Sequence, residues 1–169
     1  MNSETFISTL APYRELYAKD ADAALLTLRA SGTPDSTSVT CKVETGRGLA
    51  VAGLHQRVGG SGRELCAGDM LLEALVACAG VSLQAAATAL DIPLKSAIVT
   101  AEGDVDLRGT LGVSAEVAVG FREIRLRFDV QTDASPEQLE ALLVATERYC
   151  VIYDTLRGSP RVQTSLQVI

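Results

Sequence analysis

The stretch from Met70 to Leu90 constrains the fold more than any other part of the chain. Leu72, Val76, Ala79, Leu83, Ala86 and Leu90 recur at alternating steps of four and three. Leu71, Leu75, Cys78, Ser82, Ala85 and Ala89 form a second stripe beside them. Two adjacent apolar stripes require burial on more than one side. The spacing predicts a helix from about Asp69 to Leu90, ended by Asp91-Ile92-Pro93. The stretch approaches membrane-spanning length. Glu73, Gln84 and the many Ala and Gly residues point instead to a buried helix of a soluble domain. Ala77, Ala79 and Gly80 are small enough to let another element approach closely.

Strand patterns surround this helix. Val39, Cys41 and Val43 alternate with Thr40, Lys42 and Glu44. Leu49 and Val51 resume the pattern after the turn Thr45-Gly46-Arg47-Gly48, which predicts a hairpin. Val99, Ala101 and Val105 predict one later strand, and Ile124, Leu126, Phe128 and Val130 another, with Arg108 to Gly112 in the connection between them. Val162, Thr164, Leu166 and Val168 predict a closing strand. Ser135-Pro136-Glu137-Gln138 is a helix start, with Ser as N-cap, Pro at the first position and Gln completing a capping box. Leu139, Leu142, Leu143, Thr146 and Cys150 fall on one face of that helix. Near the N-terminus, Ser3 to Ala18 reads as helical, with Pro12 as a break or a second start. Ser31 to Asp35 reads as a loop. The expected class is α+β. At 169 residues the chain suits one domain with a short extension, and aromatic residues at 4% make its core aliphatic.

A net charge of -6 argues against nucleic acid as a partner, since phosphate neutralisation needs clustered cations. The N-terminal residues lack a basic region followed by an apolar run, so a cytoplasmic protein with no membrane partner is expected. In that compartment the four cysteines are reduced or catalytic rather than structural bridges. His55 is the single histidine, and no clustered His/Cys spacing suggests a metal or other cofactor. Gly59-Gly60-Ser61-Gly62 is followed by no Gly-Lys-Ser/Thr, so it reads as a flexible loop and not a phosphate cradle. Cys41 sits among valines on a strand, Cys66 in a loop, Cys78 in mid-helix and Cys150 at a helix end. Taken singly, each suits an inert small hydrophobe better than a nucleophile. A reactive thiol in mid-helix needs a neighbouring cation, because the helix dipole gives it little help.

Two segments carry a family resemblance. Gly59-Gly60-Ser61-Gly62, followed by Asp69 to Cys78, resembles the first cysteine motif of the OsmC/Ohr proteins (osmotically inducible protein C and organic hydroperoxide resistance). Glu147-Arg148-Tyr149-Cys150-Val151-Ile152-Tyr153-Asp154-Thr155-Leu156 resembles the second. The likeness implies an intertwined homodimer in which antiparallel sheets wrap around long central helices. It implies a helical extension over 1–35 and an OsmC-like domain over 36–169. Cys78 matches the peroxidatic cysteine and Cys150 the resolving one. Arg47 matches the arginine that holds the thiolate, and Asp69 stands where the family has a glutamate orienting that arginine. Read from the residues alone, Arg47 also suits an exposed turn and Asp69 a helix N-cap. Val151 stands where the family has proline. The resemblance implies an organic hydroperoxide as substrate and an external dithiol as reductant. The alternative readings are a non-catalytic binding module with an apolar cavity at the dimer interface, and a redox-stress sensor.

Overall fold

The computed structural model describes residues 2–20, 22–27, 31–34, 40–45 and 48–168, with side chains for 2–20, 22–27 and 48–168. Helix α1 spans Ser3–Lys19 and starts where the Asn2 side chain accepts from the Thr5 N–H. Pro12 lies inside α1 without breaking it. Its missing N–H removes one rung, while the Thr9 hydroxyl makes its own bond back to the Thr5 carbonyl.

Strands β1 (Ser31–Pro34), β2 (Thr40–Thr45), β3 (Gly48–Gly53) and β4 (Leu65–Cys66) form one sheet in that order. The expected β2–β3 hairpin is present, with Thr45 opposite Gly48. Ser31 to Pro34, expected as loop, is instead a strand antiparallel to β2, because pairing to an existing edge outweighs its Gly and Pro content. Cys66, also expected in a loop, lies in β4, which pairs parallel to β3.

Between β3 and β4 the chain makes a tight turn that explains its glycines. His55 caps a short 3-10 turn through Nδ1, which accepts from the Arg57 N–H. Gly59 follows in the left-handed region at φ 92°. A Cβ on Gly60 would fall 1.6 Å from the Leu54 carbonyl oxygen, so only glycine fits.

Helix α2 runs over Ala67–Ala89, beginning two residues before the expected start. It ends in a Schellman motif: Asp91 takes φ 53°, and the Ile92 N–H bonds to the Ala87 carbonyl at 2.9 Å. Ile92 then buries its side chain in the cluster that holds Ala87. α2 is long and apolar enough to cross a membrane by length and composition. In this fold it instead packs against the strands and helices that follow.

Strand β5 (Ser96–Val105) leads through the short helix α3 (Leu107–Thr110), within the expected connection, to strand β6 (Phe121–Gln131). β5 and β6 form a long antiparallel ribbon with Val99 opposite Phe128 and a bulge near Asp104. One face carries Val99, Phe128 and Val130 onto α2. The other carries ion pairs, with Arg125 bound to Asp104 and Glu123 and Arg127 to Asp129.

Helix α4 (Pro136–Tyr149) starts with the capping box read from the sequence: Gln138 N–H to Ser135 Oγ, and Ser135 N–H to Gln138 Oε1. Helix α5 (Val151–Gly158) follows at once, the two sharing Cys150 as a cap. The core is Leu83, Ala86, Ala87, Ile92 and Leu142, walled by the β5–β6 ribbon and α4. Leu143, placed on the buried face from the sequence, is exposed. The expected closing strand does not form. Residues 160–168 carry no regular structure, and Leu166 is 94% exposed. Their alternation suits a strand, but a strand needs an edge to pair with, and the described strands leave these residues unpaired.

Candidate functional site

The site lies where α2 crosses the junction of α4 and α5. Leu142, Thr146 and Cys150 repeat every four residues and are buried together. Thr146 resolves its own polarity by bonding to the Leu142 carbonyl at 2.7 Å. The same face of α4 therefore carries Cys150 into the seam against α2, where it is 1% exposed. On α2, Cys78 and Ser82 are one turn apart and both turn toward that seam.

Cys78 lies close enough to Cys150 for each to bear on the other's charge. Both are free thiols, as is Cys66. Their surroundings differ: Cys150 is fully enclosed, whereas Cys78 is half-buried. Burial pushes the Cys150 thiol up from its ordinary value, and the neighbouring Cys78 adds to this. The Tyr153 backbone and the Ser82 hydroxyl act against it. Cys150 is therefore the enclosed member of the pair, and Cys78 is the one with access to solvent.

Tyr153 lies on the first turn of α5, and the Arg157 guanidinium lies 5.5 Å from its ring centre. Burial raises the Tyr153 hydroxyl, Glu147 raises it further, and Arg157 acts against them. Ser82 appeared in the sequence only as a member of an apolar stripe. Its signal was available: a hydroxyl one helical turn beyond a cysteine, on a face otherwise apolar.

Asp69 is not gathered here. Asp69 is exposed in the first turn of α2, about 14 Å along the axis from Cys78. It is not the N-cap, a place taken by Cys66, which makes no side-chain cap bond. Arg47 lies outside the described residues. Cys41 lies in β2, and its side chain is outside the described part. His55 serves its turn. Among the described residues no cluster of His, Cys, Asp and Glu could hold a metal. An open groove of about 640 Å³ lies between the start of α1 and the end of α2, lined by Asn2, Ser3, Glu4, Ile7, Ser8 and Asp91. Neither cysteine lines it.

Residues 60–165 match the family profile described as OsmC-like protein. Among curated proteins none matches the sequence. Solved structures share the fold. An OsmC-like protein from Mycoplasma pneumoniae superposes with a TM-score of 0.64 at 16% identity, over 79% of this chain and 89% of that one. An organic hydroperoxide resistance protein from Elizabethkingia anophelis does so with 0.63 at 17% identity, over 79% and 90%. A third, from Legionella pneumophila, described as organic hydroperoxide resistance protein OsmC, gives 0.60 at 21%, over 79% and 91%. At these identities the likeness is one of fold.

Proposed function

The chain belongs to the OsmC-like protein family, and on that premise we propose that it is a thiol-dependent peroxidase acting on organic hydroperoxides. The observation that carries this reading is the closeness of a solvent-reached cysteine, Cys78, to an enclosed one, Cys150, brought from distant parts of the chain. The likeness in fold to two organic hydroperoxide resistance proteins agrees with it.

The Cys78 thiolate attacks one oxygen of the hydroperoxide. The S–O bond forms, the O–O bond breaks, and the alcohol leaves after its alkoxide takes a proton. Cys78 is left as a sulfenic acid. Cys150 then attacks the Cys78 sulfur, giving a disulfide and releasing water. An external dithiol restores both thiols. The electrons come from thiols throughout, so the cycle uses no cofactor. Arg47 is the cation assigned to hold the thiolate and the developing oxyanion, and Asp69 acts through Arg47 by orienting it. The apolar residues of α2 favour fatty or aromatic hydroperoxides over hydrogen peroxide.

The working unit in this proposal is a cytoplasmic homodimer. Val81 on α2 and the tail residues Val162, Leu166 and Val168 account for part of the uncovered apolar surface. A second copy would cover it. Residues 1–35 are assigned to an extension of the OsmC-like domain of 36–169, one whose α1 lies against α2 and whose β1 pairs with β2 of the domain.

Dithiol-dependent turnover tests the reading. The expected result is consumption of cumene hydroperoxide over many cycles, with a higher kcat/KM than for hydrogen peroxide. A single oxidation without turnover would make the protein a redox sensor. No reaction of either kind would leave a binding module.

A further inference from the structure

The proposed cycle asks an enclosed sulfur to become anionic, and that demand gives a role to Ser82. We propose that Ser82 is a positioning residue for Cys150: its hydroxyl, with the Tyr153 backbone N–H, steadies that sulfur against Cys78 as the disulfide forms. The inference rests on the reading of Cys150 as the resolving thiol.

The geometry supports it in three ways. Ser82 is 9% exposed and Cys150 1%, so no bulk water serves either group. Ser82 lies one turn beyond Cys78 on α2, and Cys150 joins α4 to α5. The hydroxyl thus stands in the same seam as both sulfurs. In the structure it donates to the carbonyl of Tyr149, the residue before Cys150, at 3.5 Å, the long limit of a hydrogen bond. Turning from that carbonyl toward the sulfur forfeits little. Of the ionisable groups that flank Cys150 in the chain, Arg148 lies over the exposed Tyr149 ring at 5.7 Å and Arg157 over the Tyr153 ring at 5.5 Å, while Glu147 is half-buried and Asp154 is exposed.

The step balances as follows. The Cys150 thiol gives up its proton, and its sulfur lone pair attacks the Cys78 sulfur. The S–S bond forms and the S–O bond of the sulfenic acid breaks. The departing oxygen takes the proton and leaves as water. Cys150 is oxidised and the Cys78 sulfur reduced. Charge sits on the Cys150 sulfur between the first and second events, when an enclosed site offers it only fixed donors.

Two measurements on the full chain test this. In a Cys78→Ser background, the pH dependence of alkylation at Cys150 is read by peptide mass spectrometry. Adding Ser82→Ala is expected to raise the apparent pKa by about one unit, and Ser82→Thr to restore it. With both cysteines present, cumene hydroperoxide is expected to form the Cys78 sulfenic acid at an unchanged rate in Ser82→Ala, with its conversion to disulfide slowed about tenfold. Circular dichroism checks that each variant keeps its helices. A titration and a disulfide step both within twofold of the parent would overturn the role of Ser82. If the unsubstituted protein forms no sulfenic acid, the peroxidase reading fails, while the titration still decides whether Ser82 serves Cys150.

Discussion

The two sides of α2 are made of the same kinds of residue and meet different fates. One side places Leu75, Ala79, Leu83, Ala86 and Ala87 against α4 and the β5–β6 ribbon, where they are buried. The other leaves Leu71 and Val81 open, Val81 at 72%. An apolar stripe states that a surface needs covering, and is silent on whether the same chain or a second one covers it. Cys78 belongs between these sides, half-covered, with Cys150 behind it on the closed side. A site at that boundary suits a reaction in which one sulfur meets substrate and the other stays hidden.

Substitutions on each side break or sharpen the contrast. The largest effect is expected at the boundary: Cys78→Ser should lower hydroperoxide turnover at least about 10³-fold, whereas Cys150→Ser should still allow one round of sulfenic acid formation, seen by trapping. On the open side, Val81→Asp should convert a dimer to monomer by sedimentation, since an unpaired charge in a covered apolar face costs about 3 kcal/mol or more. On the closed side, Leu142→Ala should lower unfolding stability by about 2–5 kcal/mol in urea titration. Ser135→Ala removes the capping box of α4 and should cost about 1 kcal/mol.

The smallest expected effect is on pH dependence. The folded chain holds Cys150 protonated beyond the ordinary thiol value of 9.0. Above that pH the unfolded chain binds fewer protons than the folded one, so stability falls as pH rises. It is fully present below pH 9. Cys150→Ala should flatten that part of the thermal-melting profile.

Where a pattern answers to local chemistry, the sequence was informative. The stripes of α2 placed the helix within two residues of its start, and Ser135-Pro136-Glu137-Gln138 placed the start of α4, because capping groups act over three or four residues. The pairing of Cys78 with Cys150 came from likeness to a family, since nothing in their spacing brings two distant segments together. β1 escaped notice because its Gly and Pro read as loop until β2 offered an edge. The tail misled in the opposite sense: Val162 to Val168 alternates as a strand should, yet has no described edge to join. Ser82 was hidden among apolar neighbours, its hydroxyl meaningful only once α4 and α5 lay across α2.

The most direct test of the central claim is peptide mapping after a brief exposure of the reduced protein to cumene hydroperoxide. The account predicts one dominant linkage, Cys78 to Cys150, formed at a single equivalent of peroxide and lost in Cys78→Ser. Oxidation that bypasses Cys78, or a linkage that joins other cysteines at the same dose, would contradict it.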